Sequence, residues 1–156
     1  MPRKRCTLRK ARVEDVKQIH ALINGYAKKN LMLPRALNDI YDDLQSYFVA
    51  ESAQKIIGCS ALKITWEDLA EIRSLAVASE FTRKKIGIKL VQRCIREAKS
   101  LGIQKVFALT FVPEYFRKMG FKDISREELP HKVWGDCIRC PLFPDCGEVP
   151  LIKEVA

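Results

Sequence analysis

A cluster of cations directly before a helical pattern is the most specific chemical feature of the sequence. Arg83, Lys84 and Lys85 precede a lone glycine, Gly87, and apolar residues at helical spacing begin at once. The first turn of a helix has free backbone N–H groups and a partial positive charge, so it binds anions such as phosphate. Glycine allows close approach to the backbone. The loop fits a phosphate-bearing ligand, and on composition alone a solvated basic loop fits equally well.

A second group of reactive side chains lies near the end of the sequence. Cys137 and Cys140 form a C-x-x-C pair, Cys146 follows, and His131 lies six positions before the pair. Three thiolates and an imidazole can bind zinc tetrahedrally. The spacing departs from that of a zinc knuckle, because the remaining two ligands are not an equally spaced pair. Structural zinc, a loop of plain thiols near a substrate and a redox pair all remain open.

Composition limits the class of protein. The 156 residues predict a single domain, 1–156, and the net charge of +9 favours anionic partners. The first twelve residues are strongly basic, yet no aromatic residue is interleaved for base stacking, so nucleic acid is an unlikely partner. The sequence has no signal peptide pattern and no stretch long enough to span a bilayer. We therefore expect a cytoplasmic protein with no membrane partner, whose cysteines are thiols or metal ligands.

The elements that must position these groups alternate between strand and helix. Asp15 is a possible N-cap of a first helix, and residues 36–46 suit a second. The segments "YFVAE", "IIGCSALKI", "AEIRSLAVA" and "KVFALTF" are strand-like, and "PEYFRKMGF" suits a short helix. The helix between the last two strands makes them parallel through a right-handed crossover. Its N-terminus then lies at the carboxyl end of a strand, where ligands commonly bind. The order predicts a mixed α/β fold.

Together, "EIRSLAV", the basic loop, the helix, "VFALTF" and "YFRKMGF" resemble the acetyl-CoA-binding core of the GNAT acetyltransferase superfamily. The resemblance implies a central mixed sheet flanked by helices, followed here by a cysteine-containing tail. The superfamily loop reads Gln or Arg, two residues, Gly, one residue, then Gly or Ala. Those positions are Thr82, Lys85 and Gly87 here, and only Gly87 matches. The segments "WEDLAEIRSLAV", "VFALTFVPEYFRKMGF" and "LPHKVW" are further similar to short N-acetylglutamate synthase-type enzymes, which acetylate the α-amine of glutamate in arginine biosynthesis.

The resemblance implies acetyl-CoA as the cosubstrate. Backbone amides of the loop would bind the pyrophosphate, and an N–H within Leu75–Val77 would bind the oxyanion. Arg83 and Lys84 could replace the missing polar residue of the loop. Lys85 can still present its N–H if its φ is negative. The expected cofactor-binding residues are Leu75, Ala76, Val77, Thr82, Arg83, Lys84, Lys85, Ile86, Gly87 and Ile88.

The resemblance also implies the catalytic groups. Glu71 matches the general base of histone acetyltransferase members, with Glu67 and Asp68 as alternatives, because an amine is mostly cationic at neutral pH and must lose a proton. Many members use a Tyr to protonate the leaving sulfur, but that position is Phe116 here. Tyr115 is the adjacent candidate acid, about 100° away around a helix. A thiol can also leave unaided as thiolate near neutral pH.

An amino-acid acceptor such as glutamate requires cations for its carboxylates. Arg73 is the first candidate, since Arg binds carboxylates bidentately, and Arg35 and Lys132 are further candidates. Arg73 could instead pair only with a nearby acid. We expect an amino-acid N-acetyltransferase, with glutamate first among acceptors. A protein or polyamine acceptor, a nucleic-acid-binding module with little catalysis, and a homodimer remain open.

Overall fold

One mixed sheet of seven strands runs through the part of the chain that the computed structural model describes, residues 5–130 and 147–155. The spatial order is β1-β2-β3-β4-β5-β7-β6. The strands are β1 (Cys6–Lys10), β2 (Tyr47–Ser52), β3 (Lys55–Trp66), β4 (Leu69–Val77), β5 (Lys105–Thr110), β6 (Lys122–Asp123) and β7 (Val149–Glu154). The helices are α1 (Val16–Ala27), α2 (Leu37–Asp42), α3 (Ile86–Ser100) and α4 (Pro113–Arg117). The predicted mixed α/β class is confirmed.

The centre of the sheet is the predicted strand–helix–strand unit. β4 and β5 pair in parallel, while the other neighbouring strands pair antiparallel. The pairing of β4 with β5 covers Leu69–Glu71 against Lys105–Phe107 and goes no further. Beyond Glu71 the two strands no longer pair, which leaves an opening between them. The N-terminus of α3 lies at the carboxyl end of β4, so it faces the opening between the strands.

Each face of the sheet carries its own apolar cluster. α3 packs on one face through a stripe that includes Leu90, Val91 and Cys94, each fully buried. On the other face, α1 and α2 cover the N-terminal strands with residues such as Ile19 and Ile40. A separate small cluster around Leu69, Phe107 and Leu129 lies on the C-terminal strands. The cluster around Ile19 and Ile40 and the cluster around Leu69 contain no residue of α3. Between these two clusters there is a gap near the middle of β4.

β4 contains a bulge directly after Arg73. Ala61 of β3 pairs with Arg73, whereas Cys59 pairs with Ala76, so β4 has one residue more than β3 over this stretch. Ser74 takes a φ of 58°, in the left-handed region that L-residues seldom adopt. A bulge of this kind bends its strand and redirects the side chains that follow. The strand therefore turns at the point where it leaves β5.

Several local expectations differ from the structure. Asp15 occupies the N-cap position of α1 but makes no capping bond to that helix. Its buried carboxylate instead binds the Arg9 guanidinium at 2.7 Å and accepts the Arg12 N–H. The predicted helix over 36–46 ends at Asp42, and a short 3-10 turn follows. β7 was not predicted, because Pro150 interrupts its apolar pattern and argues against a central strand. Among the described residues, no helix combines the length and apolar character needed to cross a bilayer.

Candidate active site

The loop before α3 has a backbone shape suited to anions. A 3-10 helix over Ser79–Lys84 ends at Lys85, whose φ of 59° and ψ of 23° are left-handed, and α3 begins at the next residue. The condition of a negative φ at Lys85 is not met, because the chain must change direction between two right-handed helical segments. A left-handed residue next to right-handed ones turns successive N–H groups toward one concavity, which binds anions. The first-turn amides of α3 add to the same positive end.

Gly87 is required by a side chain from another element. A Cβ atom at this position would clash with the Tyr115 hydroxyl and would lie 3.7 Å from a Val77 methyl group. Tyr115, on α4, therefore closes over the start of α3 and the end of β4. Burial raises the pKa of the Tyr115 hydroxyl above its ordinary value, which keeps it protonated at neutral pH. The glycine that matches the superfamily loop thus also leaves room for this tyrosine.

The neighbouring Phe116 has a different environment. Its side chain is buried in the core on the α3 face, where its ring packs edge-on against Phe121 with centroids 5.3 Å apart. The superfamily position for the leaving-group acid therefore holds a core residue here. Tyr115, the candidate one position earlier, has its hydroxyl at the opening between β4 and β5. Its catalytic role stays a prediction.

The end of β4, where the oxyanion donor is expected, is held by side chains from three other elements. The Tyr26 hydroxyl on α1 donates to the carbonyl oxygen of Val77. The Cys59 thiol on β3 contacts the carbonyl oxygen of Ser74 at 3.3 Å, and the Tyr47 hydroxyl on β2 lies 3.3 Å from Ser74 Oγ. These contacts fix both ends of the stretch containing Leu75–Val77. The sequence alone gives neither Tyr26 nor Tyr47 a role at the site.

Glu71 and Arg73 form an ion pair in the gap between the two apolar clusters. Arg73 Nη2 donates to Glu71 Oε1 at 2.7 Å and Nε donates to the same oxygen at 3.1 Å. The two side chains are 11% and 12% exposed, so this pair is largely shielded from water. The alternative in which Arg73 pairs with a nearby acid is therefore met, and binding of a substrate by Arg73 stays a prediction.

Arg35 lies at the same face of the sheet. Asn24 on α1 binds its backbone from both sides, donating to the Arg35 carbonyl at 3.0 Å and accepting the Arg35 N–H at 3.3 Å. The charges of both arginines act on the buried Tyr47 hydroxyl. Burial raises the pKa of the Tyr47 hydroxyl, and the positive charges of Arg35 and Arg73 act in the opposite direction. A joint role of Glu71, Arg73 and Arg35 in acceptor binding stays a prediction.

Other predicted site residues lie elsewhere or cannot be placed. Glu67 and Asp68 lie in the turn before β4, at the end of that strand remote from the basic loop. Thr82 is in the 3-10 helix, where its hydroxyl donates to the Ser79 carbonyl. The described residues contain no group of three metal-binding side chains. Five residues that the sequence predicts for metal or acceptor binding lie outside the described ranges: His131, Lys132, Cys137, Cys140 and Cys146.

A sheet that opens between two parallel strands, with a helix start suited to anions at the opening and a buried carboxylate alongside, fits an acetyltransferase of the resembled type. The family model described as the Acetyltransferase (GNAT) family matches residues 13–121. The chain belongs to this family. The predicted resemblance is confirmed.

Relatives extend this similarity over the whole chain. An uncharacterized N-acetyltransferase of Chlorobaculum tepidum is 38% identical over 155 residues, which are 99% of this chain and all of the relative. An amino-acid acetyltransferase of Mycobacterium tuberculosis is 37% identical over 138 residues, covering 86% of this chain and 79% of the relative.

Solved structures show the same fold. A Mycobacterium tuberculosis protein in complex with CoA superposes with a TM-score of 0.82 at 32% identity, over 95% of this chain and 98% of that one. N-acetylglutamate synthase from Neisseria gonorrhoeae, complexed with coenzyme A and N-acetyl-glutamate, gives a TM-score of 0.86 at 25% identity. The match covers 97% of this chain and 35% of the synthase.

Proposed function

We propose that the protein transfers the acetyl group of acetyl-CoA to the α-amine of an amino acid, with L-glutamate as the first candidate. The observation that carries the proposal is the Glu71–Arg73 ion pair, which is largely shielded from water and lies where β4 and β5 cease to pair. It combines a base for an amine with a cation for a carboxylate. The amino-acid acetyltransferase relatives support the same acceptor class. With glutamate as acceptor, the reaction belongs to arginine biosynthesis in the cytoplasm.

The chain has the groups needed to hold acetyl-CoA. The concavity at Lys85 and the first amides of α3 suit the pyrophosphate. The pantetheine arm can lie along the end of β4, as an added strand would. CoA bound to the similar structures supports this placement. The cosubstrate supplies a thioester, whose carbonyl carbon is open to attack by an amine. An N–H within Leu75–Val77, fixed by the contacts of Tyr26 and Tyr47, is the proposed donor to the oxyanion.

Glu71 is the proposed general base. Both hydrogen bonds that Arg73 donates to Glu71 end on Oε1, so Oε2 is the proposed acceptor for the proton of the acceptor ammonium. The neutral amine then forms the new C–N bond, the C–S bond breaks, and the electron pair leaves on the sulfur. Tyr115 is the proposed donor of a proton to that sulfur, and a thiolate can also leave without one. The proposal needs no other co-reactant.

Acceptor specificity is assigned to the cations of this face. Arg35 and Arg73 are proposed to bind carboxylates, with Lys132 as a third contributor, since guanidinium groups bind carboxylates through two parallel hydrogen bonds. Asn24 stabilises the backbone of Arg35, so its side chain starts from a fixed point. A polyamine has no group for these cations and would be repelled by them.

The decisive experiment measures thiol release from acetyl-CoA with a panel of the twenty amino acids, a polyamine and a short peptide. We expect the highest kcat/KM with glutamate, and mass spectrometry of the product should show the added acetyl group on the α-amine. Release that responds to the polyamine or the peptide, and to none of the amino acids, would show that the acceptor assignment is wrong.

A further inference from the structure

Within the described sheet, the first strand has an open backbone edge at Leu8. β1 is the edge strand of the described sheet and pairs with β2 alone. The Ala11 N–H donates to the Tyr47 carbonyl, and bonded pairs alternate along an antiparallel ladder, so Thr7 and Arg9 also bond to β2. The N–H and C=O of Leu8 therefore point away from β2. An edge of this kind can pair with another extended chain.

A groove lined with cations runs beside this edge. It lies between β1 and α3 and is lined by Leu8, Lys89, Gln92, Arg93 and Arg96. Its three cations follow a single helical stripe, at positions i, i+4 and i+7. The Phe48 ring orients two cations toward this side: Arg93 lies 5.7 Å and Lys10 4.6 Å from its centroid.

The cations of the groove differ in their ion pairing from Arg9, a cation of the neighbouring strand β1. Arg9, on the opposite face of β1, binds Asp15 at 2.7 Å and Glu51 at 2.9 Å. Within residues 5–130 and 147–155, the three cations of the groove have no such ion pair. Like charges one turn apart repel each other and destabilise a helix. An anionic partner in the groove would remove that cost.

We propose that an extended acidic peptide docks in this groove and adds a strand to β1. Its backbone pairs with the outward groups of Leu8, and its carboxylates at every second position face Lys89, Arg93 and Arg96. Alternate residues of a strand are about 6.6 Å apart. Successive cations of the stripe are about 6 Å and 4.5 Å apart along the helix axis. The long flexible side chains absorb the difference.

A peptide fits the groove better than a nucleic acid. Single strands of RNA are held by stacking of bases on exposed aromatic rings, and the ring at this groove, Phe48, is only 1% exposed. Cations that merely protect an edge strand from aggregation would be expected on the strand itself. Here most of them come from α3 and line a concave surface, which suits a bound side-chain row. The site is separate from the proposed acetyl-transfer centre and does not depend on it.

The experiment uses the full chain and a fluorescein-labelled ten-residue peptide that alternates Glu with Thr, with binding followed by anisotropy at several salt concentrations. We expect saturable binding that weakens with salt. The same peptide with all its backbone amides N-methylated keeps every side-chain charge but loses its donors to β1 in either strand direction, and should bind at least about tenfold more weakly. A ten-nucleotide single-stranded RNA should also bind more weakly than the Glu-Thr peptide.

The matched protein variants separate the groove from net charge. Changing Lys89, Arg93 and Arg96 together to Glu should weaken peptide binding at least about tenfold. The same charge change at Lys17, Lys29 and Lys122, which are exposed positions on other elements, is the control. At raised salt the Kd of the peptide for this variant should stay within about twofold of the wild-type value. Thermal melting of both variants checks that they fold. The proposal is overturned if the two variants weaken binding alike, if N-methylation has no effect, or if the RNA binds as tightly as the peptide. It is overturned equally by absence of peptide binding to the wild type.

Discussion

The two halves of the proposed active site are built by different means. At the basic loop, the binding groups are backbone amides, arranged by the left-handed Lys85 and by the space that Gly87 leaves for Tyr115. At the acceptor region, the groups are the side chains of Glu71, Arg73 and Arg35. A backbone site tolerates changes in side chains, which explains how a loop with one matching motif residue occurs in a confirmed member of the family. A side-chain site changes its ligand when its residues change. On this proposal the loop binds the cosubstrate and the acceptor region selects the substrate.

The sharpest test of the side-chain half is Glu71→Gln. Removing the proposed base should lower kcat by about 10²-fold or more while leaving the Kd of acetyl-CoA unchanged. Steady-state kinetics over pH 6 to 9, a range of about three units around neutrality where amine deprotonation matters, and calorimetry with CoA give the two quantities. Glu51→Gln is the control, since Glu51 also pairs with an arginine but lies on β2 away from the site. Full turnover by Glu71→Gln would assign the pair a structural role alone.

The matching test of the backbone half is Gly87→Ala. The added Cβ clashes with the Tyr115 hydroxyl, so we expect at least about tenfold weaker CoA binding and a loss of about 1–3 kcal/mol in stability. Gly25→Ala in α1 is the control, because nothing lies within 4 Å of its Cβ position and alanine favours a helix. Combining Gly87→Ala with Tyr115→Phe should restore part of the affinity. Unchanged CoA affinity in the single variant would show that the ligand does not depend on this loop.

Arg35→Ala should raise the KM for the amino-acid acceptor by about tenfold or more, with little change in the KM for acetyl-CoA, because a charge-assisted pair is lost. Arg35→Lys should recover only part of the effect, since Lys cannot bind a carboxylate bidentately. Arg117→Ala is the control, a surface arginine paired with Asp123 on α4's side of the sheet. Equal changes in both KM values would show that Arg35 has no specific role in acceptor recognition.

The smallest effects are expected at Lys85, where charge and backbone can be separated. Lys85→Glu should weaken CoA binding a fewfold through repulsion, more so at low salt. Lys85→Gly removes the charge but relieves the left-handed strain, so we expect near-normal affinity and a gain of about 1 kcal/mol in stability. Lys99→Glu, at the other end of α3, controls for net charge. If Lys85→Gly binds CoA as poorly as Lys85→Glu, the side chain rather than the backbone holds the phosphate.

The sequence predicts the central unit well, because its signals are local. The apolar stripe of α3, the buried pattern of β5 and Gly87 each lie within a short window. The left-handed Lys85 gives no such signal, since lysine has no preference for that conformation. The contacts of Tyr26 with Val77 and of Tyr47 with Ser74 join residues 51 and 27 positions apart. Only the folded chain brings such pairs together. Zinc binding by the cysteines of the tail stays one of the open predictions. Elemental analysis of protein purified without added metal tests it.

The position of β7 between β5 and β6 has a consequence for how the protein is made. β1, β2, β3 and β4 each pair with the next strand or the previous strand in chain order. This half of the sheet can therefore form early in synthesis. β5 gains its full-length antiparallel partner only when Val149–Glu154 has been synthesised. Until then an apolar strand has one edge without a partner, a state prone to aggregation. We expect ribosome-bound chains halted before β7 to be recognised by chaperones and cleaved readily by proteases, while chains that include it are protected. The synthesis of β7 thus determines when the half of the sheet bearing β5 becomes stable.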